Sequence, residues 1–101
     1  MSQAKVCICI PTYNAADTLT ETLQSVLAQT HRNLVVKIFD NASTDSTLQL
    51  ARAFHDKDPR IQIHSSDVNL GGGGNFTRCL EAAEGDYTAI AKNRDRIYQM
   101  D

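Results

Sequence analysis

Polar side chains gather at three points of this sequence where an apolar run has just ended. The first is Thr12-Tyr13-Asn14, after Ala4 to Ile10 (AKVCICI) and Pro11. The second is Asp40-Asn41-Ala42-Ser43, after Leu34 to Phe39 (LVVKIF), and the third is Lys92-Asn93-Arg94-Asp95, after Asp86 to Ala91 (DYTAIA). Asp40 closes an apolar stretch, so its carboxylate is expected at the floor of a crevice. There it can accept the ring N–H that a neutral uracil or thymine offers, and Tyr13 supplies an aromatic surface for the base. A competing reading makes Asp40 and Ser43 caps of the helix that follows, since Asp and Ser bond readily to nearby backbone. His31, His55 and His64 have the spacing of neither a triad nor a zinc site, and Cys7, Cys9 and Cys79 lack ligand spacing.

The segments between these points explain how they could be brought together. Ala4 to Ile10 is a continuous apolar run closed by a breaker, the pattern of a strand buried on both faces. Leu19, Leu23, Val26 and Leu27 fall on one helical stripe, with Asp17 or a neighbour as its cap. Leu34 to Phe39 is a second strand. Leu48, Ala51 and Phe54 mark a second helix that ends near Asp58-Pro59, and Ile61 to His64 is a third strand. Val68 to Gly74 reads as a glycine-rich connection. After it Phe76, Cys79, Leu80 and Ala83 repeat at helical spacing, Gly85 stands where a helix-terminating glycine belongs, and Asp86 to Ala91 is a fourth strand. Strands alternating with helices predict an α/β, Rossmann-like wound parallel sheet with right-handed crossovers, in three α/β/α layers. Ligands bind such sheets beyond the carboxyl ends of the strands, where all three polar clusters fall.

Bulk properties narrow the class. With 101 residues the chain has room for one domain, residues 1–101. A net charge of −2 offers no attraction for nucleic acid or an anionic membrane. No apolar run approaches the ~20 residues of a membrane span, and the N-terminus lacks a basic-then-apolar export signal. Three cysteines, two of them in an apolar strand, suit reduced core thiols and a cytoplasmic setting.

Four stretches together resemble the family-2 glycosyltransferases of the GT-A fold. They are Val6-Cys7-Ile8-Cys9-Ile10-Pro11-Thr12-Tyr13-Asn14; Asp40 through Thr47 (DNASTDST); Asn69-Leu70-Gly71 leading to Asn75 and Arg78; and Gly85-Asp86-Tyr87. Leu23 to His31 also looks like the family's first helix. The resemblance implies that the chain binds a nucleotide-diphosphate sugar, a UDP- or dTDP-sugar, for inverting transfer to an acceptor hydroxyl in cell-surface polysaccharide synthesis. It implies that Pro11, Thr12, Tyr13 and Asn14 surround the base and ribose, and that Asp40 contacts the base with Asn41 and Ser43 shaping its pocket. Arg78 would approach the diphosphate, and Gly71 opens the glycine run that lets backbone pass close to a ligand. As a phosphate loop of the Walker type the run fails, because no Lys-Ser/Thr follows it. The acceptor pocket and the general base would come from residues beyond Asp101, so no catalytic residue is assigned.

One segment departs from the family. Family members carry closely spaced aspartates for Mg2+ or Mn2+ after the fourth strand, whereas this chain reads Lys92-Asn93-Arg94-Asp95-Arg96-Ile97-Tyr98. Asp95 is the remaining candidate metal ligand, and a carboxylate among three cations is a poor divalent site. Either the cations bind diphosphate directly, or the segment has no role. The rival readings are a non-catalytic nucleotide-binding module, and a receiver-like domain with Asp40 as phosphoacceptor; the second needs an acidic cluster after strand one that Pro11 to Asn14 lacks. The resemblance also implies strand order 3-2-1-4, with further strands of the full enzyme covering the fourth; in a chain that ends at Asp101, Asp86 to Ala91 is expected as an open edge that recruits a second copy into a homodimer.

Overall fold

A computed structural model of the chain describes residues 5–28 and 33–82 in full, together with the backbone of residues 87–92 and 96–100. The element order is β1 (Val6–Thr12), α1 (Ala16–Leu27), β2 (Leu34–Asp40), α2 (Thr47–Lys57), β3 (Ile61–Ser65), α3 (Gly71–Glu81), β4 (Tyr87–Lys92) and β5 (Arg96–Met100). The sheet runs β3-β2-β1-β4-β5. Its first four strands are parallel, and β5 pairs with β4 antiparallel, from Thr88↔Met100 to Lys92↔Arg96. The wound α/β sheet expected from the sequence is therefore present. The fourth strand is not the open edge expected from the sequence, because β5 pairs along it, and the dimer expected through that strand loses its basis.

Side-chain alternation divides the sheet into two faces. Ile8 and Ile10 of β1 and Leu34, Val36 and Ile38 of β2 meet Leu19, Leu23 and Val26 of α1 and Ala51 of α2 in the larger core. On the other face Cys7, Cys9 and Phe39 pack with Cys79 of α3. Each is buried apolar surface, the main favourable contribution to folding. The Cys7 thiol contact draws the Cys9 thiol down, but its contact with Cys79 and its burial outweigh this and push it up to about 11. All three cysteines are buried and unbridged.

Two local expectations are corrected. β1 does not stop before Pro11 but runs through it to Thr12. The Val6 amide donates toward β2 and the Thr12 carbonyl accepts from Asn41, so the even-numbered residues of β1 bond β2 and Pro11 faces the β4 side. β4 pairs with β1 only as far as Cys9↔Ile90, so the missing N–H of Pro11 breaks no ladder bond. The glycine run is likewise not a connector: Gly71 to Gly74 form the first turn of α3. The buried face of that helix carries Asn75 and Cys79, whereas Phe76 and Leu80, expected on it, are 36% and 39% exposed. Gly85 and Ala83 lie outside the described residues.

Candidate functional site

Beyond the carboxyl ends of β1 and β2, against the start of α3, the chain forms a cleft of about 690 Å3. Pro11, Thr12 and Tyr13 line it from β1, Asn41 from the end of β2, and Gly72, Gly73, Asn75 and Phe76 from α3. This is the position that wound sheets use for ligands. Two of the three polar clusters read from the sequence, those after β1 and β2, meet here. Of the third, Asn93, Arg94 and Asp95 lie outside the described residues, as do the side chains of Lys92 and Arg96.

The wall between the sheet and α3 is built by Asn41. Its backbone N–H donates to the Thr12 carbonyl at 2.9 Å. Its side chain accepts from the Leu70 N–H at 2.7 Å and donates to Asn69 Oδ1 and the Gly71 carbonyl, each at 3.1 Å. Asn69 Oδ1 in turn accepts from the Gly71 N–H at 2.7 Å. Asn75, 3% exposed, donates to the Phe39 carbonyl at 2.9 Å and accepts from Arg78 at 3.1 Å. These bonds satisfy polar groups that would otherwise be buried unpaired, and they set α3 against the strand ends.

Asp40 sits beneath the cleft rather than at its floor. Its carboxylate has no exposed surface and accepts three hydrogen bonds: from the Thr12 hydroxyl at 2.8 Å, the Ser43 hydroxyl at 2.5 Å and the Ser43 N–H at 3.0 Å. Register explains this. Thr12 and Asp40 are paired across β1 and β2 and share the parity of Ile10 and Ile38, so both turn toward the α1/α2 face, while Asn41 turns toward α3. The cap reading of Asp40 and Ser43 is corrected as well. Asp45 does that work, accepting from the Thr47 N–H and hydroxyl at the start of α2 and from the Ala16 N–H, at 3.3 Å, at the start of α1. The Thr47 hydroxyl bond, followed by backbone N–H bonds, holds the Asp45 carboxyl below its ordinary pKa despite the opposing effect of desolvation. Asp17, expected as a cap, is inside the first turn of α1.

Arg78, expected near a diphosphate, is turned to the strand ends. Its guanidinium donates to the carbonyls of Asp40 and His64, both at 3.3 Å, and stands 5.2 Å from the Phe39 ring centre. Phe39 also stacks on His64 at 4.8 Å. Burial, then the charges of Lys37 and Arg78, hold the His64 pKa below its ordinary value. Asn14 and Ser43 close the loop pair at the rim: the Asn14 N–H donates to Ser43 Oγ at 2.9 Å, and Asn14 Oδ1 accepts from the Thr44 N–H at 2.8 Å. The sequence marks Gly72 and Gly73 only as part of the glycine run and Asn75 only as part of the family resemblance, and it reads Phe76 as a core position of the helix rather than a lining residue. The available signal was Asn75, a polar residue amid the helical repeat. Among the described residues no three His, Cys, Asp or Glu side chains come together as metal ligands.

The model of glycosyl transferase family 2 matches residues 7–91, and the chain belongs to that family. It is 36% identical over 90 residues to the putative glycosyltransferase EpsE of Bacillus subtilis, covering 87% of this chain and 32% of that protein. It is 34% identical over 90 residues to the Escherichia coli UDP-Glc:alpha-D-GlcNAc-diphosphoundecaprenol beta-1,3-glucosyltransferase WfaP, covering 89% and 35%. Among solved structures, S. aureus TarS in complex with UDP superposes with a TM-score of 0.78 at 29% identity, covering 88% of this chain and 27% of that one. A Pyrobaculum calidifontis mannosyltransferase in complex with GDP-Man and Mn2+ gives 0.80 at 25% identity, covering 91% and 28%. The fold is thus that of the GT-A glycosyltransferases. The chain spans about a third of the length of the curated relatives it matches.

Proposed function

We propose that residues 1–101 are one nucleotide-binding domain of an inverting family 2 glycosyltransferase that takes its sugar from a UDP- or dTDP-linked donor in cell-surface polysaccharide synthesis in the cytoplasm. The observation that carries this reading is the cleft between the ends of β1 and β2 and the start of α3, with Tyr13 47% exposed at its edge. A large aromatic ring left half in solvent beside a cleft is suited to stacking on a base. Pro11, Thr12 and Asn41 shape the base and ribose site. Asn14 and Ser43 hold the two loops together at its rim, and Gly71 lets the chain turn into α3. Asp40 acts through Thr12 and Ser43, and Arg78 acts by fixing the strand ends against α3. The relative named for UDP-Glc and the neighbour bound to UDP support a uridine donor.

A divalent cation such as Mg2+ or Mn2+ would have to be held by Asp95 with the donor diphosphate. That donor set does not suit it: in the sequence Lys92, Arg94 and Arg96 flank a single carboxylate. The same substitution of cations for carboxylates favours a second reading, a module that binds the nucleotide without catalysing transfer.

Calorimetric titration with UDP, dTDP and GDP tests the proposal. Both pyrimidine nucleotides are expected to bind more tightly than GDP, and Tyr13→Ala to weaken them about tenfold, the effect of losing ~1.4 kcal/mol of stacking. Equal affinity for GDP and UDP would sink the donor assignment.

A further inference from the structure

Glycine in a helix costs about 1 kcal/mol relative to alanine, yet α3 opens with four in succession. Two of them have reasons within the fold. Gly71 has a φ of 75°, a backbone that other residues rarely adopt, and a Cβ on Gly74 would stand 3.0 Å from the Leu70 Cβ. Gly72 and Gly73 have neither reason. They lie in helical backbone, and a Cβ on either would meet nothing within 4 Å.

Both residues line the cleft, and so does Phe76, four and three positions further on and hence on the same side of the helix. The N–H groups of a helix's first turn have no intrahelical acceptor. Those of Leu70 and Gly71 are taken by Asn41 and Asn69. Among the described residues no side chain accepts from Gly72 or Gly73. The α3 wall therefore offers bare Cα atoms, two backbone donors and a partly exposed aromatic ring to one cleft.

Resting on the reading of the cleft as a nucleotide site, we infer that Gly72, Gly73 and Phe76 form the wall that recognises the base. Phe76 contacts its face, the bare glycines admit its edge, and their N–H groups donate to the carbonyl oxygens of a uracil or thymine. Alanine at 72 or 73 would fill space that the fold itself leaves open and that the base requires.

The test is titration of UDP into the wild type, Gly72→Ala, Gly73→Ala, Phe76→Leu and Phe76→Tyr, with the thermal midpoint of each. The glycine variants are expected to bind at least about fivefold more weakly while melting at the same or a higher temperature, since alanine favours the helix. Phe76→Leu is expected to lose about tenfold, the scale of base–aromatic stacking, and Phe76→Tyr, which keeps the ring, to lose less than Phe76→Leu. Variants that all bind UDP like the wild type would overturn this inference alone, as would losses that follow a falling melting temperature. A wild type that binds no nucleoside diphosphate would overturn the nucleotide reading and this inference with it.

Discussion

Ala42 holds a φ of 60° between two residues whose bonds leave it no alternative. On one side the Asn41 N–H is bound to the Thr12 carbonyl, and on the other the Ser43 N–H is bound to the Asp40 carboxylate. A left-handed backbone costs an ordinary L-residue roughly 1–2 kcal/mol, so Ala42→Gly is expected to raise the urea midpoint, less whatever entropy glycine adds to the unfolded chain. Asp40 is the anchor of the same turn. Replacing it with asparagine keeps the shape and removes the charge, and hydrogen bonds to charged groups contribute ~1.5–3 kcal/mol. Asp40→Asn is therefore expected to lower unfolding free energy by about that amount in urea. Unchanged stability with weakened UDP affinity would instead restore Asp40 as a direct contact to the base.

At the scale of elements, the two helices on the larger core begin at one carboxylate. Neither α1 nor α2 has a side-chain bond from its own N-cap residue, and Asp45 serves both. An anion there also complements the positive ends of two helix dipoles. The Asp45 pKa is depressed on folding. Its contribution is thus fully present above the unfolded aspartate pKa of about 3.9 and is lost as pH falls through the lower, folded value. Asp45→Asn is expected to lower the thermal midpoint at neutral pH and to leave a shallower decline in acid than the wild type shows. Parallel melting curves for the two proteins from pH 7 to pH 2.5 would refute that role.

At the scale of the whole chain, β5 decides what lies against β4. Paired antiparallel from Thr88 to Lys92, β4 has no free edge. A chain ended after Lys92 would expose it, and unpaired strand edges recruit partners. Light scattering over a concentration series is expected to show self-association of that shorter chain and not through β4 in the longer one. Equal behaviour of the two would mean β5 does not protect the edge. Around the β4–β5 connection the sequence sets Asp95 among Lys92, Arg94 and Arg96, a poor setting for a divalent ion. Mn2+ is expected to tighten UDP binding by less than about tenfold, ~1.4 kcal/mol, and a larger gain would show that Asp95 supports a metal after all.

What the sequence determined by itself is the order of elements, the wound sheet and the family. Apolar periodicity and turn residues are local, and near-continuous apolar runs mark strands buried on both faces, with Ile8, Ile10, Val36 and Ile38 on one face and Cys7, Cys9 and Phe39 on the other. The two polar clusters after β1 and β2 could be placed at strand ends for the same reason. Which way each side chain turns was a tertiary matter. Asp40 lies below the cleft and Asn41 beside it because register with β1 fixes parity. Arg78 clamps carbonyls of β2 and β3 that are 38 and 14 positions away in the chain. Phe76 lines a cleft because Asn75, with Phe39 and Arg78 as partners, takes the buried side of α3. Such contacts join residues distant in sequence, and no local pattern of residues records them.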